Sequence, residues 1–204
     1  MVLGVTGGYC AGKDAVVRVL ESYDIFEINE DKIGHDALLS LSGEVEDAFG
    51  SGVIDAEGLV DRRALGSIVF SDPEALRSLE NIVHPWMEAE TKRRIANSRS
   101  AHTMINAAIL QHMGLHRMCD LVFQVEAPLL LRVYRAQKRD GYSLPDAYKR
   151  IRTQRKHGKI DMPKQFLNEK GSYVDTVVVR NGGSRGALSR RLRNILVDYG
   201  LIGR

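Results

Sequence analysis

Seven consecutive residues, Gly7-Gly8-Tyr9-Cys10-Ala11-Gly12-Lys13, constrain this chain more than any other feature. They follow directly on an apolar β-type run at 2–6. They lead into a stretch where Val16, Val19, Leu20 and Tyr23 fall at i, i+3, i+4 and i+7, the spacing of one helix face. A strand, a glycine-rich turn and a helix in that order make a loop whose backbone N–H groups converge on an anion. The glycines let backbone approach phosphate oxygens, the helix N-terminus adds a favourable dipole, and Lys13 supplies a point charge for the β- and γ-phosphates of a nucleotide. The expectation is a nucleotide-phosphate site formed by Gly7, Gly8, Tyr9, Cys10, Ala11, Gly12, Lys13 and the residue that follows, Asp14. That motif ordinarily continues with Ser or Thr, whose hydroxyl serves Mg²⁺. A carboxylate is also a hard oxygen ligand, so Asp14 is the candidate metal residue, yet it sets negative charge beside the phosphates. A site that leans harder on its metal and a weakened nucleotide site both remain open.

Further β-type runs at 25–29, 103–107, 121–125 and 176–180 alternate with segments of helical period. This pattern predicts an α/β protein with a parallel five-stranded sheet flanked by helices. The last helix shows Leu188, Leu192, Ile195, Leu196 and Tyr199 on one stripe, with Ser184 as its cap. Residues 31–100 hold no β-run. They carry helix signals, among them a capping box at Ser71-Asp72-Pro73-Glu74 with Ser71 as the cap, and read as an inserted helical lobe. A second irregular stretch, 141–174, is the candidate lid. The nucleotide-binding core is then 1–30, 101–140 and 175–204.

At 204 residues and 44% apolar content the chain can bury one sizeable core. No apolar run is long enough to span a bilayer, and no basic leader precedes the first strand, so neither membrane span nor signal peptide is expected and the cytoplasm is the expected location. Two cysteines, Cys10 and Cys119, form neither a disulfide framework nor a zinc pattern. Net charge is +3, but ten Lys or Arg residues fall between Arg132 and Lys159 against Asp140 and Asp146 alone. That segment is +8 and leaves −5 for the remainder. It reads either as a polyanion site or as a solvated helical face.

Beyond the phosphate loop, the blocks Asp31-Lys32-Ile33-Gly34-His35, Val60-Asp61-Arg62-Arg63-Ala64-Leu65, Ile68-Val69-Phe70 and Leu79-Glu80-Asn81-Ile82-Val83-His84-Pro85 resemble dephospho-CoA kinases in order and spacing. Later pieces fit the same family: Cys119-Asp120, Glu126-Ala127-Pro128, Arg135, Arg139-Asp140, Arg150-Ile151 with Gln154, and Asn181-Gly182-Gly183-Ser184. The similarity covers nearly the whole chain, and the block at 61–85 is its most diagnostic part. The resemblance implies a P-loop kinase fold with a helical lobe for the CoA portion and a lid bearing arginines. It implies transfer of the γ-phosphoryl of ATP, with Mg²⁺, to the ribose 3′-hydroxyl of dephospho-CoA, the last step of coenzyme A biosynthesis. Carried over by position, the catalytic residues are Lys13, Asp31 as general base, and Arg139. Arg135 and Asn181 join the loop at the nucleotide, and Asp31, Arg62 and His84 meet the acceptor. Arg132, Arg135 and Arg139 stand at i, i+3 and i+7, so one helix face would present three guanidinium groups to phosphate oxygens.

Several positions depart from the family pattern. An Asp-Ala-Asp sequence is here Asn29-Glu30-Asp31, and Asp31 has a rival role as N-cap of the helix that follows. The family's Asp-Ile-Pro-Leu-Leu-Phe-Glu is Asn106-Ala107-Ala108-Ile109-Leu110-Gln111-His112, with both acids lost. Arg132 stands where Gln is frequent, and 154–181 is long, which suggests an enlarged lid. Two other functions stay open from the residues: a P-loop kinase for another small acceptor, and a nucleotide-binding protein of this fold with little turnover. Nucleic acid is not expected as a partner, because aromatics are only 6% and the basic segment holds just Tyr134, Tyr142 and Tyr148. The absence of an Asn-Lys-x-Asp motif disfavours a GTPase. The expected assembly is a monomer or weak homo-oligomer.

Overall fold

The structure, a computed structural model, describes residues 1–157 and 162–203. In chain order the elements begin β1 (Val2–Gly7), α1 (Lys13–Glu21), β2 (Ile25–Asn29), α2 (Glu30–Ser40), α3 (Ser42–Phe49), α4 (Arg62–Val69) and α5 (Pro73–Asn97). They continue β3 (His102–Asn106), β4 (Leu121–Glu126), α6 (Leu129–Asp140), α7 (Leu144–His157), β5 (Gln165–Leu167), β6 (Tyr173–Arg180) and α8 (Arg185–Asp198). Two compact units result, one from residues 1–28 with 98 onward, the other from 29–97.

In the first unit the sheet runs β2-β3-β1-β4-β6-β5. β1 pairs in parallel with β3 and β4, and β4 with β6, so the glycine-rich loop leaves from a central strand. Leu3 and Val5 of β1 and Leu121, Phe123 and Val125 of β4 are buried with Val16 and Leu20 of α1 and Leu188, Leu192 and Leu196 of α8. Each such side chain contributes roughly 1.5–3 kcal/mol by leaving water. This packing anchors α1 at the mouth of the loop. Ser184 caps α8, its hydroxyl accepting from the Ala187 N–H at 3.3 Å.

The sheet has six strands where the sequence reading has five. β5 is antiparallel to β6 and lies within the stretch expected to be irregular, as does α7. Three residues are too few for a period-2 signal; the pairing is set by the turn that follows. Buried Asn168 accepts through Oδ1 from the N–H groups of Lys170 (3.0 Å) and Ser172 (2.9 Å), folding the chain back onto β6. β6 accordingly starts at Tyr173, earlier than its apolar run. Ser143 begins α7, its hydroxyl accepting from the Asp146 N–H at 3.3 Å. Residues 158–161 of the proposed lid, Lys159 included, lie outside the described residues.

The second unit is helical. Val45, Val53, Val60, Leu65 and Val69 form its core, backed by Leu76, Leu79 and Ile82 of α5. Its one β feature among the described residues is an isolated bridge, Ile54 to Val60. The capping box at 71–74 does not form as the spacing predicts. Asp72, not Ser71, accepts from the Glu74 N–H at 2.8 Å, while the Ser71 hydroxyl bonds back to the Ser67 and Ile68 carbonyls at the end of α4. The reason is Pro73: its fixed φ suits the first helical position, which makes the preceding residue the cap. α5 then runs 25 residues through Pro85. No helix among the described residues is long and apolar enough to cross a membrane.

Candidate active site

The glycine-rich loop is shaped from behind. Arg132 Nε donates to the Tyr9 carbonyl at 2.8 Å, and Arg135 Nη1 to the carbonyls of Ala11 (3.1 Å) and Cys10 (3.4 Å). Asn181 Nδ2 donates to the Ala11 carbonyl at 3.0 Å and the Gly12 carbonyl at 3.3 Å. These carbonyls are thus held from α6 and from the end of β6, which braces the loop. Gly12 takes φ 91°, and a Cβ there would strike the Asn181 amide, so glycine is required on both counts. Gly12 stands at the N-cap of α1 and no side chain caps the helix. Its N-terminal dipole is thereby left open to a ligand.

Above that terminus lies a cavity of about 490 Å³, within the range of small-molecule sites. Lys13, Arg18, Arg135, Lys138, Arg139 and Arg185 line it, opposed by Asp14 alone. Six cations and one carboxylate around a helix N-terminus suit a polyphosphate. Gly8, Cys10, Gly12 and Asn181 line it as well, whereas Gly7, Tyr9 and Ala11 do not. Ala11 is 1% exposed, and its N–H closes a turn on the Gly8 carbonyl at 2.9 Å. The Tyr9 N–H donates to Gln154 Oε1 at 2.5 Å, so that donor is already engaged. Cys10 holds φ 58°, uncommon for a residue with a Cβ, and its side chain is buried with Val133, Ala136, Ala147 and Ile151.

Tyr9 links the loop to the basic segment. Its hydroxyl donates to Asp140, and the guanidinium groups of Arg139 and Arg150 lie 5.1 and 5.4 Å from its ring centroid. Burial, with the Asp140 hydrogen bond adding to it, pushes the phenol up to about 12. Arg139 also binds Asp140 at 3.0 Å, which raises the guanidinium further and holds the carboxyl below its ordinary range. The expected row of three phosphate-facing guanidinium groups is therefore differentiated. Arg132 and Arg135 grip loop backbone, and Arg139 is stacked on Tyr9 at the cavity wall. Arg18, Lys138 and Arg185 are lining residues that sequence reading missed. Arg18 stands four residues after Asp14 on α1, and Arg185 directly follows the Ser184 cap, so helix periodicity and cap position carried their signal.

Asp31, Arg62 and His84 belong to the helical unit. Asp31 is exposed at the second position of α2. It is not the N-cap: Asn29 Oδ1 accepts from the Lys32 N–H at 3.2 Å, because the residue with extended backbone at the end of β2 is the one placed to cap. Asp31 is thus relieved of its rival role. Arg62 opens α4, exposed, after the Asp61 cap; His84 is half-buried on α5. Asn106, at the end of β3, is buried and donates to Glu27 of β2 at 2.7 Å; His112 lies beyond β3. Among the described residues no group of three or more acids, histidines or cysteines is gathered for a metal.

The model of the dephospho-CoA kinase family matches residues 1–175. A dephospho-CoA kinase of Geobacter sulfurreducens is 32% identical over 200 residues, covering 95% of this chain and 96% of the relative. One of Lactobacillus johnsonii is 28% identical over 204 residues, covering 97% and 98%. Among solved structures, a Thermus thermophilus protein superposes with TM-score 0.77 at 27% identity, covering 100% of this chain and 98% of its own. The dephospho-CoA kinase of Campylobacter jejuni gives 0.67 at 23% identity, covering 98% of each, a likeness of fold.

Proposed function

We propose how this chain, which belongs to the dephospho-CoA kinase family, carries out the reaction of that family. Its members are kinases that transfer phosphate to dephospho-CoA in the last step of coenzyme A biosynthesis. The observation that carries the residue-level reading is the cavity over α1, where six cations and one acid surround an uncapped helix N-terminus.

ATP is the donor in this reading. Lys13 and the open end of α1 receive its β- and γ-phosphates, and Arg135 and Asn181 keep the loop in shape. Asp14 is the one hard anionic oxygen donor lining the cavity and suits a divalent ion carried by the nucleotide. Mg²⁺ held by Asp14 and phosphate oxygens would supply charge neutralisation. Asp31 takes the proton of the ribose 3′-hydroxyl as that oxygen bonds to the γ-phosphorus. The bond to the β,γ-bridging oxygen breaks, and ADP leaves with its electron pair. Arg139, released from Asp140, neutralises charge on the moving group. Arg62 and His84 contact the acceptor, the helical unit 29–97 receives the CoA portion, and 141–174 closes over the phosphates. The reaction belongs in the cytoplasm, and the protein acts as a monomer or weak homo-oligomer.

A coupled ADP-release assay with dephospho-CoA, adenosine, cytidine monophosphate and no acceptor in parallel tests this reading. ADP release dependent on dephospho-CoA alone is the expected result. Equal release with adenosine or cytidine monophosphate would reassign the acceptor, and nucleotide binding without turnover would remove the catalytic reading.

A further inference from the structure

We propose that Glu30 is kept as a neutral carboxylic acid that bolts the first turn of α2 to α5, and that its proton positions the adjacent Asp31. The proposal rests on the assignment of Asp31 as the base.

Glu30 is the first residue of α2 and only 3% exposed, an unusual location for a glutamate. Its Oε1 lies 2.9 Å from the Thr91 hydroxyl on α5, and Thr91 is fully buried. The same hydroxyl lies 2.8 Å from the Met87 carbonyl. A hydroxyl has one proton to give and lone pairs to accept with. When Thr91 donates to Met87, the contact with Glu30 is a hydrogen bond only if Glu30 carries the proton and donates it. Among the described residues the second carboxyl oxygen, Oε2, is buried without a partner. As part of a neutral acid this costs little more than an unfilled acceptor; as part of a carboxylate it leaves charge buried without a donor.

The surrounding charges do not reverse this preference. Donation from Thr91 favours the ionised form most, but that hydroxyl's one proton is shared with the Met87 carbonyl; Arg94 on α5 follows, and its Nη2 donates to Asp36 at 2.8 Å and its Nε to Glu90 at 2.7 Å. Asp31, on the same helix, opposes ionisation, and the acids of α3, Glu44, Glu46 and Asp47, are exposed. Burial is the largest influence and pushes the acid up to about 7. The folded protein therefore binds a proton that the unfolded chain has already released. Stability falls as pH rises from the ordinary glutamate range toward about 7 and levels off beyond it. Over the same range Oε2 becomes buried charge without a donor among the described residues, which destabilises the first turn of α2, where Asp31 stands.

The test uses the full-length protein and Glu30→Gln, whose amide can donate to Thr91 at every pH. Thermal unfolding is followed from about pH 5 to about pH 8. The expected result is a melting temperature for wild type that drops away from that of the variant as pH rises, the gap becoming constant above neutrality. Parallel profiles would overturn the proposal. A carboxyl ¹³C titration of wild type reads the proton without the variant: one glutamate resonance with a midpoint near 7 is expected, and ordinary or lower midpoints for all glutamates would overturn it. Turnover supplies the positioning readout, with the Glu30→Gln to wild-type kcat ratio expected to rise with pH at unchanged KM for ATP. A flat ratio rejects the positioning role. Asp31→Asn should lose turnover at all pH values while keeping a pH-dependent melting profile whose midpoint moves to lower pH, because the charge opposing Glu30 ionisation is gone. Full activity in that variant would remove the base assignment while leaving the melting and ¹³C results standing.

Discussion

Arg135 Nη1 donates to the Ala11 carbonyl at 3.1 Å while its Nη2 donates to the Asn181 carbonyl at the same distance, so one guanidinium ties the phosphate loop to the chain leaving β6. A lysine has the charge but not the planar fork. Arg135→Lys should therefore lose roughly 1.5–3 kcal/mol of stability, the range for hydrogen bonds to a charged group, and weaken ATP binding with it. Denaturant unfolding and ATP calorimetry on the same preparation check both.

Lys13→Ala removes the point charge at the mouth of the loop and leaves the gripped carbonyls untouched. Turnover should fall by about 10²-fold or more, as for other preorganised charge-stabilising groups, with the circular dichroism spectrum unchanged. Near wild-type turnover would show that the cavity over α1 is not the catalytic site.

Asp14 and Asp31 should fail in different ways. Asp14→Ser restores the usual hydroxyl and removes a charge from the cavity, so activity should survive with an altered Mg²⁺ requirement. Asp31→Asn should depress kcat by about 10²-fold or more with ATP affinity nearly unchanged. Mg²⁺ titrations of both variants decide the matter. If Asp14→Ser leaves the Mg²⁺ dependence as it was, Asp14 does not serve the metal.

Arg139 rests on Tyr9 and Asp140 at the protein surface, where such contacts add little to stability. Arg139→Ala should reduce turnover by at least about tenfold and shift the melting temperature by no more than about 1–2 °C. A large melting shift with full turnover would make it a structural residue.

Asn168 makes no claim on catalysis and should be sensitive all the same. Its side chain accepts from Lys170 and Ser172 and donates to the Cys119 carbonyl at 3.2 Å. Asn168→Ala removes three hydrogen bonds worth about 1 kcal/mol each and should destabilise by roughly 2–3 kcal/mol with kcat unaltered. Chemical denaturation beside the ADP-release assay separates the two effects.

The phosphate loop and its helix were legible in the sequence because one motif fixes both conformation and chemistry, and the parallel strands because each is a buried apolar run. Ser184 was legible as a cap because nothing beside it competes. At Asp72 and Asn29 the cap shifted from the expected residue to a neighbour, and the deciding factor was backbone shape: Pro73 in one case, the end of β2 in the other. β5 was invisible since its register is dictated by a side-chain turn downstream. The grip of Arg132 and Arg135 on the loop joins residues more than 120 positions apart, and charge patterning registers only that cations cluster. Glu30 carried no signal of burial in the sequence; its burial depends on α5, which no local pattern reveals.

The short length of β5 has a further consequence. It covers β6 only from Tyr173 to Asp175, whereas β6 continues to Arg180. Among the described residues no strand pairs with the outer side of Val177, Val178 and Val179, and Val178 is 45% exposed. A run of β-branched residues on an edge that no described strand covers is a template for strand addition from another chain. Arg180 ends that run with a charge, as gatekeeper residues do. Shortening β5 or replacing Arg180 with an apolar residue is therefore expected to raise the tendency of this edge to pair between molecules on heating.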